Sequence, residues 1–269
     1  EYHKPTKIVT SSHHRRLIHI QNQTLDIAVT QDHNMYVCKQ GRARRRNDVF
    51  EFIKARDLKS QSFIKRTGHW VGQRRRFFTL PSVEKGHRAG PRVVFKRTAP
   101  KTIPMNTWLA FFGIWLADGC VSMGYRVSIA QKVRSKAEKI AKLLRRLPFR
   151  FAMRETESVV YDKQLAEYLK QFGKAPEKYI PKFIKDLPLD QMNIFLKWFT
   201  LGDGTMMRGG FRIFYTSSKQ LADDIQELLL KVGRLGIIKK RNARKKPTMI
   251  EGRQIDNSRT QYEVLERVK

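Results

Sequence analysis

Asn106-Thr-Trp-Leu-Ala-Phe-Phe-Gly-Ile-Trp-Leu-Ala-Asp-Gly119 and Asn193-Ile-Phe-Leu-Lys-Trp-Phe-Thr-Leu-Gly-Asp-Gly204 are two versions of one pattern. Each is an almost unbroken apolar segment that ends in Asp-Gly and runs into residues with strand character. A helix that is apolar on nearly every side has to be buried. At about 12 residues it is far short of the roughly 20 needed to cross a bilayer, so it belongs in a protein interior. An internal repeat bears on the fold before any other feature does. Two such helices, one per repeat, are expected to pack on each other. Gly113 and Ala117, four apart, share a face that admits a partner backbone closely. Asp118 and Asp203 then meet at the C-terminal end of the pair, where the helix dipole favours cations and disfavours carboxylates. Two acids crowded there raise each other's pKa and require something positive. A divalent metal is the simplest compensating partner.

Phe111 to Gly119 and Leu196 to Gly204 resemble the two copies of the LAGLIDADG motif of homing endonucleases. Two core helices with incidental Asp-Gly turns are the alternative reading. The resemblance implies an α+β fold. It would hold two pseudo-symmetric αββαββ(α) units with saddle-shaped antiparallel sheets, preceded by a mostly β N-terminal region. The expected division is residues 1–100, 101–188 and 189–269. Trp198 stands where the family often has a small residue, which shifts the expected close packing to Gly202. Full symmetry of the two sites is then open, and so is nicking beside double cutting.

Composition points to the same class of partner. The chain has 269 residues, 55 Lys plus Arg against 24 acids, and a formal net charge of +31. Residues 1–100 alone hold 22 basic and 7 acidic residues, so the excess is not confined to a tail. Such a surplus calls for a polyanion. No dominant basic amphipathic helix suggests a membrane surface, and nucleic acid is the expected partner. Cys38 and Cys120 give neither a disulfide framework nor a zinc spacing. With no signal peptide or membrane span in the sequence, an intracellular setting, cytoplasmic or nucleoid, is expected. The runs Arg44 to Arg46 and Arg74 to Arg76 read as phosphate contacts or solvated loops rather than targeting signals.

Residues 8–10, 17–20 and 25–30 are β-branched, partly alternating and separated by turn residues, which predicts strands. Thr30 to Val37 resembles the Thr-x-x-His block of inteins and related Hint domains, and Phe52 to Lys59 looks like the segment that comes after it. By that resemblance Thr30 and His33 would activate a scissile peptide bond; an ordinary strand-end histidine is the alternative. Residue 1 is Glu, and the sequence closes Glu-Arg-Val-Lys without a His-Asn pair. Splicing by this chain is therefore not expected, and a Hint-like remnant is. Residues 60–104 are basic and irregular, with short strands predicted at Phe77 to Leu80 and Val93 to Phe95.

Downstream, Gly124 centres a hairpin with arms 120–122 and 126–131. Ser135 is expected to cap an amphipathic helix over 136–147. A second hairpin spans 149–161, and Asp162 caps a helix over 163–172 that stops at Gly173. The second half repeats this with helix 191–201, hairpin 205–215 turning at Gly209-Gly210, helix 218–232 and a last strand at Val264-Leu265. Glu177-Lys178-Tyr179-Ile180-Pro181 is similar to a Lys-x-Ile-Pro segment of intein endonucleases.

The family resemblance implies a site-specific double-strand DNA endonuclease acting as a monomer on a long duplex site. Its cofactor would be Mg2+ or Mn2+. Metal ligands would come from Asp118, Asp203, Gly119 and Gly204, the glycines through carbonyl oxygen. Lys178 would assist catalysis in the first half. DNA contacts are expected from Ser122, Arg126, Ser128, Gln131, Arg208, Arg212 and Lys219 on or beside the hairpins, and from Arg74, Arg75 and Arg76. A cleavage-inactive DNA-binding protein, an RNA maturase, and a piece of an intein with its host protein are the competing readings.

Overall fold

The computed structural model describes residues 6–10, 12, 14, 16–38, 49–60, 62–65, 70–89, 92–242, 248–250, 253–255 and 260–267. Arg44 to Arg46 lie outside these. The chain divides into two compact units, residues 1–70 and 71–269.

The first unit is built from short strands. β1 (Leu17–Gln21) and β2 (Asp26–Thr30) form a hairpin. Asn22 closes its turn, its side-chain oxygen accepting from the amides of Thr24 at 2.8 Å and Leu25 at 2.9 Å. β3 (Asn34–Cys38) is the centre of an antiparallel sheet with β4 (Glu51–Lys54) and β5 (Phe63–Ile64) on either side. Alternation puts Met35 and Val37 inward with Ala55, against Ile18, Ile20, Ile27, Val29, Ile53, Leu58 and Ile64. Ile8 to Thr10, expected as a strand, is exposed coil. Among the described residues it has no partner strand to pair with, and β-propensity alone does not order three residues.

The second unit begins earlier than the sequence suggests. β6 (Phe77–Leu80) pairs with β9 (Lys101–Pro104), and between them β7 (Glu84–Ala89) pairs with β8 (Arg92–Arg97). Phe78 stacks on Trp108 with centroids 3.8 Å apart. Gln73 N–H donates to the Asp186 carbonyl at 2.9 Å. These long-range ties explain why residues 71–100 belong to the same unit as residues 101–269 and not to that of residues 1–70.

From Pro104 the chain enters α1 (Met105–Asp118), then β10 (Gly119–Ser122), β11 (Arg126–Ala130), α2 (Arg134–Leu144), β12 (Phe151–Met153), β13 (Glu157–Tyr161) and α3 (Lys163–Lys170). A connection with a short helix α4 (Lys182–Lys185) leads to α5 (Leu189–Asp203), β14 (Gly204–Met206), β15 (Arg212–Thr216), α6 (Lys219–Lys231) and β16 (Leu235–Arg241). β17 (Thr248–Ile250), β18 (Arg253–Ile255) and β19 (Gln261–Arg267) complete the described chain. The molecule is thus mixed α+β with antiparallel sheets. Two four-stranded sheets have the orders β10-β11-β13-β12 and β14-β15-β19-β16. Each therefore places a hairpin first, then the last strand of its segment, then the strand that follows the segment's amphipathic helix, β12 or β16.

Local chemistry sets most boundaries. Asp162 accepts from the Leu165 amide at 2.8 Å, and Ser218 from the Leu221 amide at 3.1 Å, so both are N-caps. Ser135 is not one: α2 starts two residues earlier than expected, Val133 holds the cap position, and the Gln131 side chain takes the Val133 amide at 3.0 Å. That helix also ends at Leu144, short of the expected 147.

Candidate metal and nucleic-acid site

α1 and α5 form the centre of the second unit. From Trp108 to Leu116 every residue of α1 is buried. The two helices run in the same direction and touch through a glycine from each. A Cβ on Gly113 would lie 2.6 Å from the Phe195 carbonyl oxygen and 3.3 Å from the Trp198 Cβ. One on Gly202 would lie 2.7 Å from the Ala117 Cβ and 2.6 Å from Asp118 Oδ2. The absence of both side chains is what allows backbone contact across the crossing. Trp198 is accommodated because Gly113 faces it, and the second contact is at Gly202, as its neighbour's bulk implied.

This crossing brings the two helix ends together. Asp118 sits against Gly202, one residue before Asp203. Burial raises the Asp118 carboxyl, opposed by Lys136 and Lys178. Burial pushes the Asp203 carboxyl up to about 7; Asp118 adds to the rise, while Lys178 and Lys136 oppose it. So the pair is crowded as the helix-end argument requires, and desolvation is the larger cause. Gly119 and Gly204 both take extended conformations. Close approach, not positive φ, explains them: added Cβ atoms would meet Trp115 Cδ1 at 2.2 Å and Thr200 Cα at 2.6 Å.

Lys178 is buried beneath this end. Its ammonium donates to the carbonyls of Leu116 at 2.9 Å and Gly119 at 2.8 Å, and more weakly to Trp115 at 3.4 Å. It neutralises the carbonyl-rich end of α1. Burial lowers its pKa to about 8, against the opposing pull of Asp203, Asp118 and Cys120. The segment carrying it is strapped to α6. Ser218 Oγ donates to the Lys178 carbonyl at 2.6 Å, and the Ile180 amide donates to Asp224 Oδ2 at 2.8 Å. One consequence concerns the ligands: the Gly119 oxygen is already taken by an ammonium, which makes it a poor metal donor. Among the described residues no group of three or more His, Cys, Asp or Glu side chains gathers anywhere.

Lys136 is the residue the sequence did not reveal. Gly119 pairs with Ile129 across the hairpin, so the chain returns to the acid end before α2 starts. Lys136, in the first turn of α2, thereby acts on both carboxylates. Its signal was topological: antiparallel return places the residues just after the second arm beside the Asp. By the same rule Gln131 lies at that end, half-buried and holding the Val133 amide. Lys219 occupies the corresponding place in the second half, but its ammonium is tied to Asp223 at 2.6 Å.

The hairpin residues divide by face. Ser122, Arg126 and Ser128 share the face of the first sheet opposite to Val127, Ile129 and Val160, but Ser128 is itself buried, contrary to its expected role as a DNA contact. Arg126 donates to Ser122 Oγ at 3.3 Å and Ser128 Oγ at 3.4 Å, and is also paired with Glu157. Arg208 is exposed in the turn between β14 and β15. Arg212 does not belong to such a surface. It shares the inward face with Phe214, two residues on, and forms a bidentate pair with Glu266 at 2.7 and 2.8 Å. The outward positions of that strand are Ile213 and Tyr215.

The arginine run is elsewhere again. Arg74 pairs with Asp190 at 2.7 Å, the Arg75 backbone exchanges hydrogen bonds with the Gln191 side chain, and the Arg76 carbonyl accepts from Met105 N–H at 2.8 Å. All three thus sit at the N-terminal ends of α1 and α5. At about 1.5 Å per residue, that is on the order of 20 Å from the acid tips. Thr30 and His33 belong to the other unit. They close the turn between β2 and β3, with the His33 amide donating to the Thr30 carbonyl at 3.1 Å and both side chains exposed. Neither Cys38 nor Cys120 forms a disulfide.

Residues 190–269 match the sequence profile of the LAGLIDADG-like domain. That stretch contains the acid end of α5 and the whole second sheet. Two curated proteins are similar over most of the chain. One is a DNA-directed RNA polymerase subunit beta C-terminal section of Stigeoclonium helveticum, 29% identical over 86% of this chain and 25% of its own length. The other is an ATP-dependent Clp protease proteolytic subunit of Chlamydomonas moewusii, 24% identical over 86% of this chain and 24% of its own length. The chain spans about a quarter of each relative. Among solved structures, a variant of I-DmoI in complex with its nicked target DNA in the presence of Mn is similar with a TM-score of 0.41 and 15% identity, over 61% of this chain and 89% of that one. Full-length DUF199/WhiA from Thermatoga maritima is similar with a TM-score of 0.39 and 8% identity, over 60% of this chain and 50% of that one.

Proposed function

We propose that this chain is a site-specific, divalent-metal-dependent DNA endonuclease, with pseudo-two-fold related halves that each serve one strand of a duplex. The observation that carries the reading is the meeting of Asp118 and Asp203 at the parallel ends of α1 and α5. Burying two carboxylates beside each other is unfavourable unless a cation is bound there. The donors are oxygen only, which suits a hard cation such as Mg2+ or Mn2+ with water and phosphate completing its shell. A metal held by Asp118 and Asp203 would supply an activated water and stabilise the leaving oxygen. The chain's own residues do the positioning. Lys178 fixes the end of α1, and Lys136 places positive charge beside both acids, where a scissile phosphate would sit.

A net charge of +31 supports a duplex partner, since phosphate contacts dominate such affinity. The two relatives support a further element of the proposal. A polymerase subunit and a protease subunit share no activity, yet both contain a segment similar to this chain. That is the distribution expected of an inserted, self-mobilising element of the intein type, with residues 1–70 as its Hint-like part.

Selection from a plasmid library carrying randomised duplex inserts tests the nuclease reading. Recovery of linear product with Mg2+, its absence with EDTA, and its loss in Asp118→Asn and Asp203→Asn is the expected result. Duplex binding without cutting under every metal condition would replace it with the binding-protein reading.

A further inference from the structure

Among the described residues, the β7–β8 ribbon is a two-stranded element of the second unit that carries a concentrated charge. Residues 84–97 hold five Lys or Arg, namely Lys85, Arg88, Arg92, Lys96 and Arg97, against the single acid Glu84. β7 and β8 pair only with each other among the described strands. Lys85 and Lys96 stand directly opposite in the ladder. Like charges so placed destabilise a sheet. No described ion pair engages Lys85, Lys96 or Arg97. Phe95 is 67% exposed, because its cross-strand neighbour is Gly86, and Val94 is 44% exposed. A lone ribbon of this kind is marginal in water. An arrangement that opposes its own stability is explained if an anion normally lies along it.

The root of the ribbon says where that anion is. Lys163 Nζ donates to the Glu84 carbonyl at 2.9 Å, and Gln164 Nε2 donates to the carbonyls of Pro81 at 2.9 Å and Ala99 at 3.0 Å. These belong to the first turn of α3. The adjoining Asp162 amide donates to the Tyr125 carbonyl at 2.9 Å, and Asp162 also pairs with Lys101 at 2.7 Å. Tyr125 marks the turn of the β10–β11 hairpin, the end of the first sheet opposite to Gly119. The ribbon is therefore rooted where the first sheet ends, on the side away from the acids.

We propose that the β7–β8 ribbon is an arm that grips the backbone of duplex DNA beyond the segment covered by the first sheet. This rests on the DNA reading above and extends it to a part of the chain outside the two sheets. Six residues at about 3.4 Å each give an arm of roughly 20 Å, enough to follow about six base pairs. Lys85 and Lys96, which share one face of the ribbon, contact phosphate, while Phe95 and the Glu84–Arg97 rung lie on the opposite face. The contribution is independent of sequence and lengthens the bound site on one side only.

Two measurements on the full chain test this. The double variant Lys85→Ala, Lys96→Ala is compared with the parent for binding to one selected duplex over a range of KCl. Losing two phosphate contacts should flatten the slope of log K against log[salt] by about 1.8, at about 0.9 per contact. In hydroxyl-radical footprints protection should weaken over the outer roughly six base pairs on one side and stay unchanged over the rest of the site. An unchanged slope and footprint in a variant that still binds would overturn the arm while leaving the duplex reading intact. A parent chain that binds no duplex overturns both. If the variant instead loses binding to anionic phosphatidylserine vesicles and keeps the full DNA footprint, the ribbon is a membrane contact and the proposal fails. Unchanged circular dichroism and unfolding midpoint in the variant confirm that the fold is retained; should the double variant unfold, Lys96→Ala alone is read for a slope change of about 0.9.

Discussion

Replacing Asp203 with Asn is expected to stabilise the metal-free protein at neutral pH. In the unfolded chain this carboxyl ionises near 3.8, whereas in the folded chain burial and Asp118 hold its proton up to about 7. Between those values the folded state binds more protons than the unfolded state, so stability falls as pH rises through the window. At about 1.4 kcal/mol per decade, the full loss above pH 7 is about 4 kcal/mol. Lys178 has the opposite sign. Its folded pKa is lowered from 10.5 to about 8, so its contribution is complete above 10.5 and is lost as pH falls towards 8. The metal-free protein thus has a stability trough near pH 7 to 8. Asp203→Asn removes the carboxylate side of the trough but deprives Lys178 of an attractive neighbour, leaving a net gain of about 2 kcal/mol at pH 8. Urea unfolding in EDTA should show parent and variant nearly equal at pH 4 and diverging as the pH rises to 8. Saturating Mg2+ should narrow the gap by stabilising the parent alone, through linkage. A variant no more stable than the parent at pH 8, or a difference independent of pH, would refute the crowded-carboxylate account.

Gly113→Ala would drive a Cβ to 2.6 Å from the Phe195 carbonyl, and overpacking should lower stability by about 1–3 kcal/mol despite alanine's better helix propensity. A raised melting temperature would contradict the close crossing. Arg212→Met leaves the buried Glu266 with only the more distant Arg234, at 3.8 Å, and should cost about 3 kcal/mol; adding Glu266→Met should recover most of it in the same chemical denaturation series. If Arg212→Met instead weakened DNA binding at unchanged stability, the inward placement would be wrong. Lys178→Met removes a charge that opposes the rise of Asp203, so the Asp203 carboxyl should titrate at still higher pH in NMR; a downward move would contradict the arrangement beneath α1.

The parts of this molecule that were legible in its sequence are those dictated by period and by glycine. Segments as apolar as 107–117 must be buried, and Gly113 and Gly202 had to face a partner. All three hairpins, the caps at Asp162 and Ser218, and the adjacency of Asp118 to Asp203 come from such local signals. What the sequence did not deliver, Lys178 apart, is which of its 55 basic residues face the acids, because charge on a surface has no obligatory period. Arg212 shows the difficulty within one strand. An exposed-looking arginine suggests the outer face, but Phe214 has to be inward, and a period of two carries Arg212 in with it. Glu266, more than fifty residues later, is what makes that tolerable, and no local pattern announces it. Arg74 to Arg76 show it over a longer reach: their partners at Asp190 and Gln191 are set only when α5 has docked. Lys136 is the converse case. It is unremarkable among its neighbours, and it gains influence over both carboxylates because the β10–β11 hairpin folds back on itself. A basic residue here acquires its role from the strand pairing that delivers it, so pairing has to be established before charge can be interpreted.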